Sequence, residues 1–164
     1  HNFASFTAGE VFVVASKDAN SGAGVKGYGG MFAIGGAGGQ GDSPCYLSNG
    51  TLISFGSTAN SGVAASVMTS AQEVLFLWNS MSKSGELTMR FNGVVKFTRL
   101  TNTVSFADNT AAPSTKNRIG IGVNVGNAHM GRIYELIMFN RVLSTSERAL
   151  VNAYVYKRYG IVGV

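Results

Sequence analysis

Acid–base cleavage of a glycosidic bond needs two carboxylates held about 5–5.5 Å apart for retention, or about 6.5–9.5 Å apart for inversion. Glu10, Glu73, Glu86, Glu135 and Glu147 each stand with no second acid within three positions. No strand or turn of this sequence therefore presents a ready-made catalytic pair. Gly22-Ala23-Gly24-Val25-Lys26-Gly27 fits G-x-G-x-x-G. It runs on into more glycine and a strand instead of opening a helix, so the helix terminus that would hold a phosphate is missing, and the segment reads as a surface loop. No Cys/His cluster has the spacing of a zinc site. For calcium, a hard cation that wants several oxygens, the acidic loop candidates are Asp18 with Asn20, Asp42, and Asp108 with Asn109. Each also reads as a turn-capping side chain. No motif requires a cofactor.

A nucleophilic serine needs a histidine base and an orienting acid. Gln40-Gly41-Asp42-Ser43 resembles the nucleophile loop of chymotrypsin-like proteases, but Pro44 replaces the glycine there, and His1 and His129 are the only histidines. Neither lies near an orienting acid in sequence, so no triad is expected. Asn49-Gly50-Thr51 fits the N-glycosylation acceptor pattern, and its Asn-Gly is equally that of a tight turn. Binding chemistry remains. Sugar recognition uses aromatic faces for C–H patches and planar amides for hydroxyls, displayed on loops over a rigid scaffold. The candidates are Tyr28, Tyr46, Trp78, Asn79, Asn124, Asn127 and His129. For Trp78 the competing reading is core or sheet-edge packing. For Tyr154, Tyr156 and Tyr159 it is packing of a helix on a sheet.

The elements that must position these residues are strands almost to the end of the chain. Apolar residues of both parities at 10–15 and 73–78 predict strands buried on both faces. Residues 45–48 and 51–55 flank Asn49-Gly50, and 87–91 and 94–97 flank Asn92-Gly93, which predicts two hairpins with type I′ turns. The second turn pairs Phe91 with Val94 and Arg90 with Val95. Further strands are expected at 31–34, 118–121 and 132–139. One helix is expected at about 144–159, opened by the capping box Ser144-Thr145-Ser146-Glu147, with Leu150, Val151, Tyr154 and Val155 on its apolar face. Gly160 is placed to terminate it, with Ile161 folding back.

Composition agrees with this reading. The chain of 164 residues has 22 glycines, 2 prolines and 13% charged residues, against about 25% charged in an ordinary domain. Disorder has the opposite signature. A single cysteine, Cys45, excludes an internal disulfide framework. No apolar run is long enough to span a membrane. Net charge is +5, but residues 1–82 carry −2 and residues 83–164 carry +7. The basic half reads either as an electrostatic docking face or as solvated charge that keeps a β protein soluble. An all-β, antiparallel two-sheet sandwich with one C-terminal helix, forming a single domain over 1–164, is expected.

The order of motifs identifies a resemblance. Glu73-Val74-Leu75-Phe76-Leu77-Trp78, a short polar turn, then Gly85-Glu86-Leu87-Thr88-Met89-Arg90-Phe91-Asn92-Gly93 resembles the core of the concanavalin A-like lectin/glucanase jelly rolls, particularly the laminin-G-like group. Gly131-Arg132-Ile133-Tyr134-Glu135-Leu136-Ile137-Met138-Phe139-Asn140-Arg141-Val142-Leu143-Ser144, followed by the helix to Gly160 and Ile161, is similar to that group's closing strand and capped helix. Trp78-Asn79-Ser80 departs from the group's acidic turn. The glucanases of this superfamily carry an E-x-D-x(x)-E strand, which is absent here. The resemblance implies a jelly-roll fold and a non-catalytic module that binds a glycan or cell-surface receptor, in a secreted protein or a phage tail or fibre. It also implies that calcium is the cation to look for. The alternative is a virion or surface structural protein that uses the sandwich for assembly, as a homo-oligomer or within a parent particle. An extracellular or virion-surface location is expected, with neither nucleic-acid binding nor membrane insertion.

Overall fold

The computed structural model describes residues 8–18, 28–33, 44–47, 53–55, 62–64, 74–101, 118–120, 129 and 131–161. Among these residues the chain forms β1 (Gly9–Lys17), β2 (Tyr28–Gly30), β3 (Phe32–Ala33), β4 (Pro44–Leu47), β5 (Ile53–Phe55), β6 (Gly62–Ala64), β7 (Val74–Lys83), β8 (Glu86–Phe91), β9 (Val94–Arg99), β10 (Arg118–Ile119), β11 (Gly131–Phe139) and α1 (Thr145–Tyr159). A five-stranded sheet has the order β11-β1-β7-β8-β9; β2-β4-β5-β6 form a second sheet and β10-β3 a short pair. Every pairing among the described residues is antiparallel.

The unbroken apolar run Val11–Ala15 of β1 follows from its position. Its odd-numbered residues Val11, Val13 and Ala15 join Phe76, Trp78, Leu87, Met89 and Phe91 in a core closed from the other layer by Met31 and Phe32. Its even-numbered Phe12 and Val14 join Leu77 on the opposite face, where Leu143, Val155 and Ile161 cover them. Each such side chain contributes about 1.5–3 kcal/mol when withdrawn fully from water. A strand with helix on one face and sheet on the other has no side to spare for polar alternation.

The hairpins form in the expected register. Phe91 lies opposite Val94 and Arg90 opposite Val95, and the turn has Asn92 at φ 49° and Gly93 at φ 82°, as a type I′ turn requires. Asn92 also extends the ladder with its side chain, whose Oδ1 accepts from the Leu77 amide at 2.8 Å. In β4–β5, Tyr46 opposes Ile53 and Pro44 opposes Phe55, a register centred on Asn49-Gly50, which themselves lie outside the described residues. Strand β7 runs five residues past Trp78, through the segment expected to be a polar turn. The capping box forms as expected: Ser144 Oγ accepts from the Glu147 amide and the Glu147 carboxylate accepts from the Ser144 amide. Gly160 ends the helix at φ 67° and Ile161 is buried.

The buried face of α1 is rotated from the expected one. Leu150 is 72% exposed and Tyr154 43%; Val155 is buried and Val151, Tyr156 and Tyr159 pack beside it. Arg148, Val151, Val155 and Tyr159 follow the 3.6-residue period, with the guanidinium of Arg148 satisfied beneath the helix.

Candidate functional site

Glu10, the second residue of β1, is fully buried, and its carboxylate is saturated. Oε1 accepts from Asn79 Nδ2 at 3.0 Å and from Arg148 Nε at 2.5 Å, while Oε2 accepts from the Leu143 amide and from Arg148 Nη2, both at 3.0 Å. Arg148 Nη2 also donates to the Leu143 carbonyl. Asn79 Nδ2 reaches the Val11 carbonyl, and its Oδ1 accepts from Arg90 at 3.1 Å. Burial, and then the neighbouring Arg148, push the Arg90 guanidinium below its ordinary pKa. This knot ties β1, β7, β8 and α1 together. A carboxylate with both oxygens taken by four donors has no free lone pair aimed at a substrate.

The candidates from sequence fall in different places. Trp78 is 1% exposed and meets Phe32 edge-on, with ring centroids 6.4 Å apart and an interplanar angle of 66°. Asn79 is 2% exposed within the knot. His129 is half-buried, and its Nε2 lies 2.9 Å from the Ser16 carbonyl, to which it donates as the neutral tautomer. Desolvation by burial lowers the His129 pKa, outweighing the hydrogen bonds to Ser16 and Arg132 that raise it. Tyr28 lies opposite Leu47 and Tyr46 opposite Gly29 in the β2–β4 register. Asn124, Asn127, Asp42 and Asp108 lie outside the described residues, as do Asn20 and Asn109.

A different group of recognition-type side chains comes together where β11 meets α1. A bulge in β11 leaves Tyr134 with no residue opposite it, between the pairs Val14–Glu135 and Ala15–Ile133. The extra residue lets both Tyr134 and Glu135 reach the helix, which strict alternation forbids. Glu135 Oε1 accepts from Tyr154 Oη at 2.9 Å and Oε2 from Tyr159 Oη at 2.8 Å. The Tyr134 and Tyr159 rings lie 6.0 Å apart. The Arg158 guanidinium sits 5.9 Å from the Tyr154 centroid and 5.5 Å from that of Tyr159, with Nε donating to Tyr159 Oη. Hydrogen bonding to Glu135 raises the Tyr154 pKa above its ordinary value. The ledge is open to solvent, with Tyr134 44% and Tyr154 43% exposed.

No family model and no curated protein matches the sequence. Solved structures do match in fold. The CBM40 of the Ruminococcus gnavus IT-sialidase, bound to α2,6-sialyllactose, superposes with a TM-score of 0.63 at 13% identity, over 90% of this chain and 84% of that one. The NanB sialidase of Streptococcus pneumoniae gives 0.63 at 18% identity, over 90% of this chain and 24% of that one. A heptameric SAP-like pentraxin from Limulus polyphemus gives 0.59 at 11%, over 91% and 71%. The chain has a lectin-like jelly-roll fold. This chain spans about a quarter of the length of NanB.

Within this jelly roll the basic residues of the second half are placed differently from one another. Lys83, Lys96, Arg132, Arg141, Lys157 and Arg158 are exposed, Arg90 and Arg148 turn inward to Asn79 and Glu10, and the half-buried Arg99 donates to Thr101. Asp18 is the acidic loop candidate inside the described residues, and its carbonyl accepts from Lys17 Nζ at 3.2 Å. Among the described residues no group of three His, Cys, Asp or Glu converges, and Asn20, the other half of that candidate, lies outside them. No described helix is long and apolar enough to cross a membrane.

Sequence reasoning missed the knot and the ledge. The one local signal for the knot is Glu10 itself, an isolated acid opening a run that is apolar on both faces. For the ledge it is the adjacency of Tyr134 and Glu135 in a strand, visible as one site only once a bulge is known.

Proposed function

We propose that the protein is a non-catalytic recognition module of the laminin-G-like, concanavalin A-like kind that binds a glycan at a cell surface, as part of a secreted protein or a phage tail or fibre. The observation that carries this reading is the likeness, over 90% of the chain, to a module solved with a sialyllactose bound. A related structure of that module holds α2,3-sialyllactose. Glu10, the fully buried carboxylate, is not available as a catalytic acid or base, because its oxygens are taken by four protein donors. A glycan array probed with the protein in calcium and in chelator tests the reading. Binding of one glycan class supports it, and silence in both conditions together with a stable homo-oligomer in light scattering sinks it.

A second reading, a structural protein that uses the sandwich for assembly, draws on β9. This strand ends the sheet order among the described residues, with Val95 52% exposed and Leu100, just beyond it, 74% exposed. An apolar edge of that kind suits pairing with another chain. The same light-scattering measurement decides it.

A further inference from the structure

We infer that the ledge formed by Tyr134, Glu135, Tyr154 and Arg158 on the β11–α1 face is a binding subsite for an uncharged hexopyranose presenting two vicinal hydroxyls. The inference rests on the glycan-binding reading and assigns it a place and a ligand class.

Three requirements of a sugar site are met there. The first is aromatic surface for the C–H face of a pyranose, offered by Tyr134 and Tyr154, each more than two-fifths exposed. The second is rigidity. Tyrosine loses little rotamer freedom on binding, and here Tyr154 is already tethered through its hydroxyl to Glu135. The third is a planar polar group with vacant positions. An ionised carboxylate offers about four lone-pair sites, and the tyrosine hydroxyls take one on each oxygen of Glu135. About two remain, on adjacent oxygens of a side chain that is 23% exposed, which matches the spacing of a vicinal diol.

Charge selects against an acidic sugar. Arg158 Nε stands 3.9 Å from Glu135 Oε2 and already donates to Tyr159 Oη, so the ledge holds one positive and one negative group in balance. A ligand carboxylate placed on the tyrosines would face Glu135 across the positions it must share. An uncharged sugar meets acceptors at Glu135 and the remaining guanidinium donors at the rim without that repulsion. Arg158 can also donate to a ring or exocyclic oxygen while staying over the tyrosine faces.

Amide-resolved NMR titration of the full chain with methyl β-galactopyranoside, methyl α-mannopyranoside and N-acetylneuraminic acid tests this, using wild type, Tyr154→Ala and Glu135→Gln. Tyr154 is exposed and Glu135→Gln conserves shape, and a melting curve for each confirms folding. The expected result is that a neutral pyranoside shifts the amides of residues 134, 135, 154 and 158, that each variant binds it at least tenfold more weakly, and that N-acetylneuraminic acid leaves these amides unmoved. A neutral sugar that binds both variants as it binds wild type, or an acidic sugar that selects this ledge, overturns the inference and leaves the glycan-binding reading standing. Failure of all three probes together with silence on a glycan array overturns both.

Discussion

Glu10 and Arg148, 138 residues apart in the chain, meet in a two-point ion pair, Nε on Oε1 at 2.5 Å and Nη2 on Oε2 at 3.0 Å. The side chains are 0% and 13% exposed, so water does little to screen the pair. Removing one partner strands the other charge inside the protein.

Glu10→Gln should therefore destabilise the fold by about 3–5 kcal/mol, the usual cost of an orphaned buried ion. The pair Glu10→Leu with Arg148→Met should lie closer to wild type than either single change. Urea unfolding measures all of these, and a Glu10→Gln midpoint equal to that of wild type would contradict the assignment.

Gly131 has φ 149°, and a Cβ built there would lie 1.9 Å from the Ser16 carbonyl oxygen. The Ser16 carbonyl carbon, at 2.8 Å, is backbone too and cannot swing aside as a side chain would. Gly131→Ala should cost about 3 kcal/mol, at the upper end of overpacking penalties, and loosen the β1–β11 ladder. Hydrogen exchange of the β1 amides is the readout, with wild-type protection after substitution as the adverse result.

His129 should give the fold a pH dependence on the acid side of neutrality. Burial lowers its pKa in the folded state, so the unfolded chain binds the proton more readily below the ordinary histidine value of about 6.5. The stability contributed by the neutral ring is complete above that value and declines as pH falls towards the folded pKa. His129→Gln, which keeps a donor for Ser16, should lose this component between pH 7 and pH 5. Thermal melts of both proteins across that interval decide the matter, and parallel curves would count against it.

The capping box should act at lower pH. Hydrogen bonds from Arg141 and then from Ser144 hold the Glu147 carboxyl at about 2. Its folded pKa is depressed, so its contribution is present above the unfolded value and lost as pH falls through about 2. Ser144→Ala removes the reciprocal acceptor and should cost about 1 kcal/mol at neutral pH, seen as fraying of residues 145–148 in amide exchange. Equal protection in both proteins would show that the box contributes nothing.

Legibility in the sequence tracked locality. Ser144 and Glu147 lie three residues apart, and Asn92-Gly93 sits inside its own hairpin, so cap, turn and register could be read from neighbours alone. Asn79 could not. Its partners Glu10 and Arg90 are 69 and 11 residues away, and without them a polar run after Trp78 looks like a turn instead of the second half of a ten-residue strand. Leu150 misled for a related reason: an apolar residue beside Val151 suggests a wide buried face, but Arg148, drawn inward by Glu10, sets the rotation of the helix. Trp78 carried both a core and a ligand reading, and only the apposition of Phe32 from the other layer distinguishes them. The Tyr134–Glu135 ledge depends on a bulge opposite Val14 and Ala15, which no spacing rule announces.

The place of β1 between β7 and β11 also bears on how the chain acquires its structure. Neither neighbour of β1 is close in sequence: Val13 pairs with Trp78 on one side and with Leu136 on the other. Such distant pairing slows folding, because long loops must close before any ladder bond is gained. On the ribosome, β1 would emerge before either neighbour, with about 110 residues between its end and the start of β11 and the covering helix later still. The segment most exposed to misassociation during synthesis is thus the one most deeply enclosed at the end, and a chain lacking β11 and α1 would leave one edge and one apolar face of β1 uncovered.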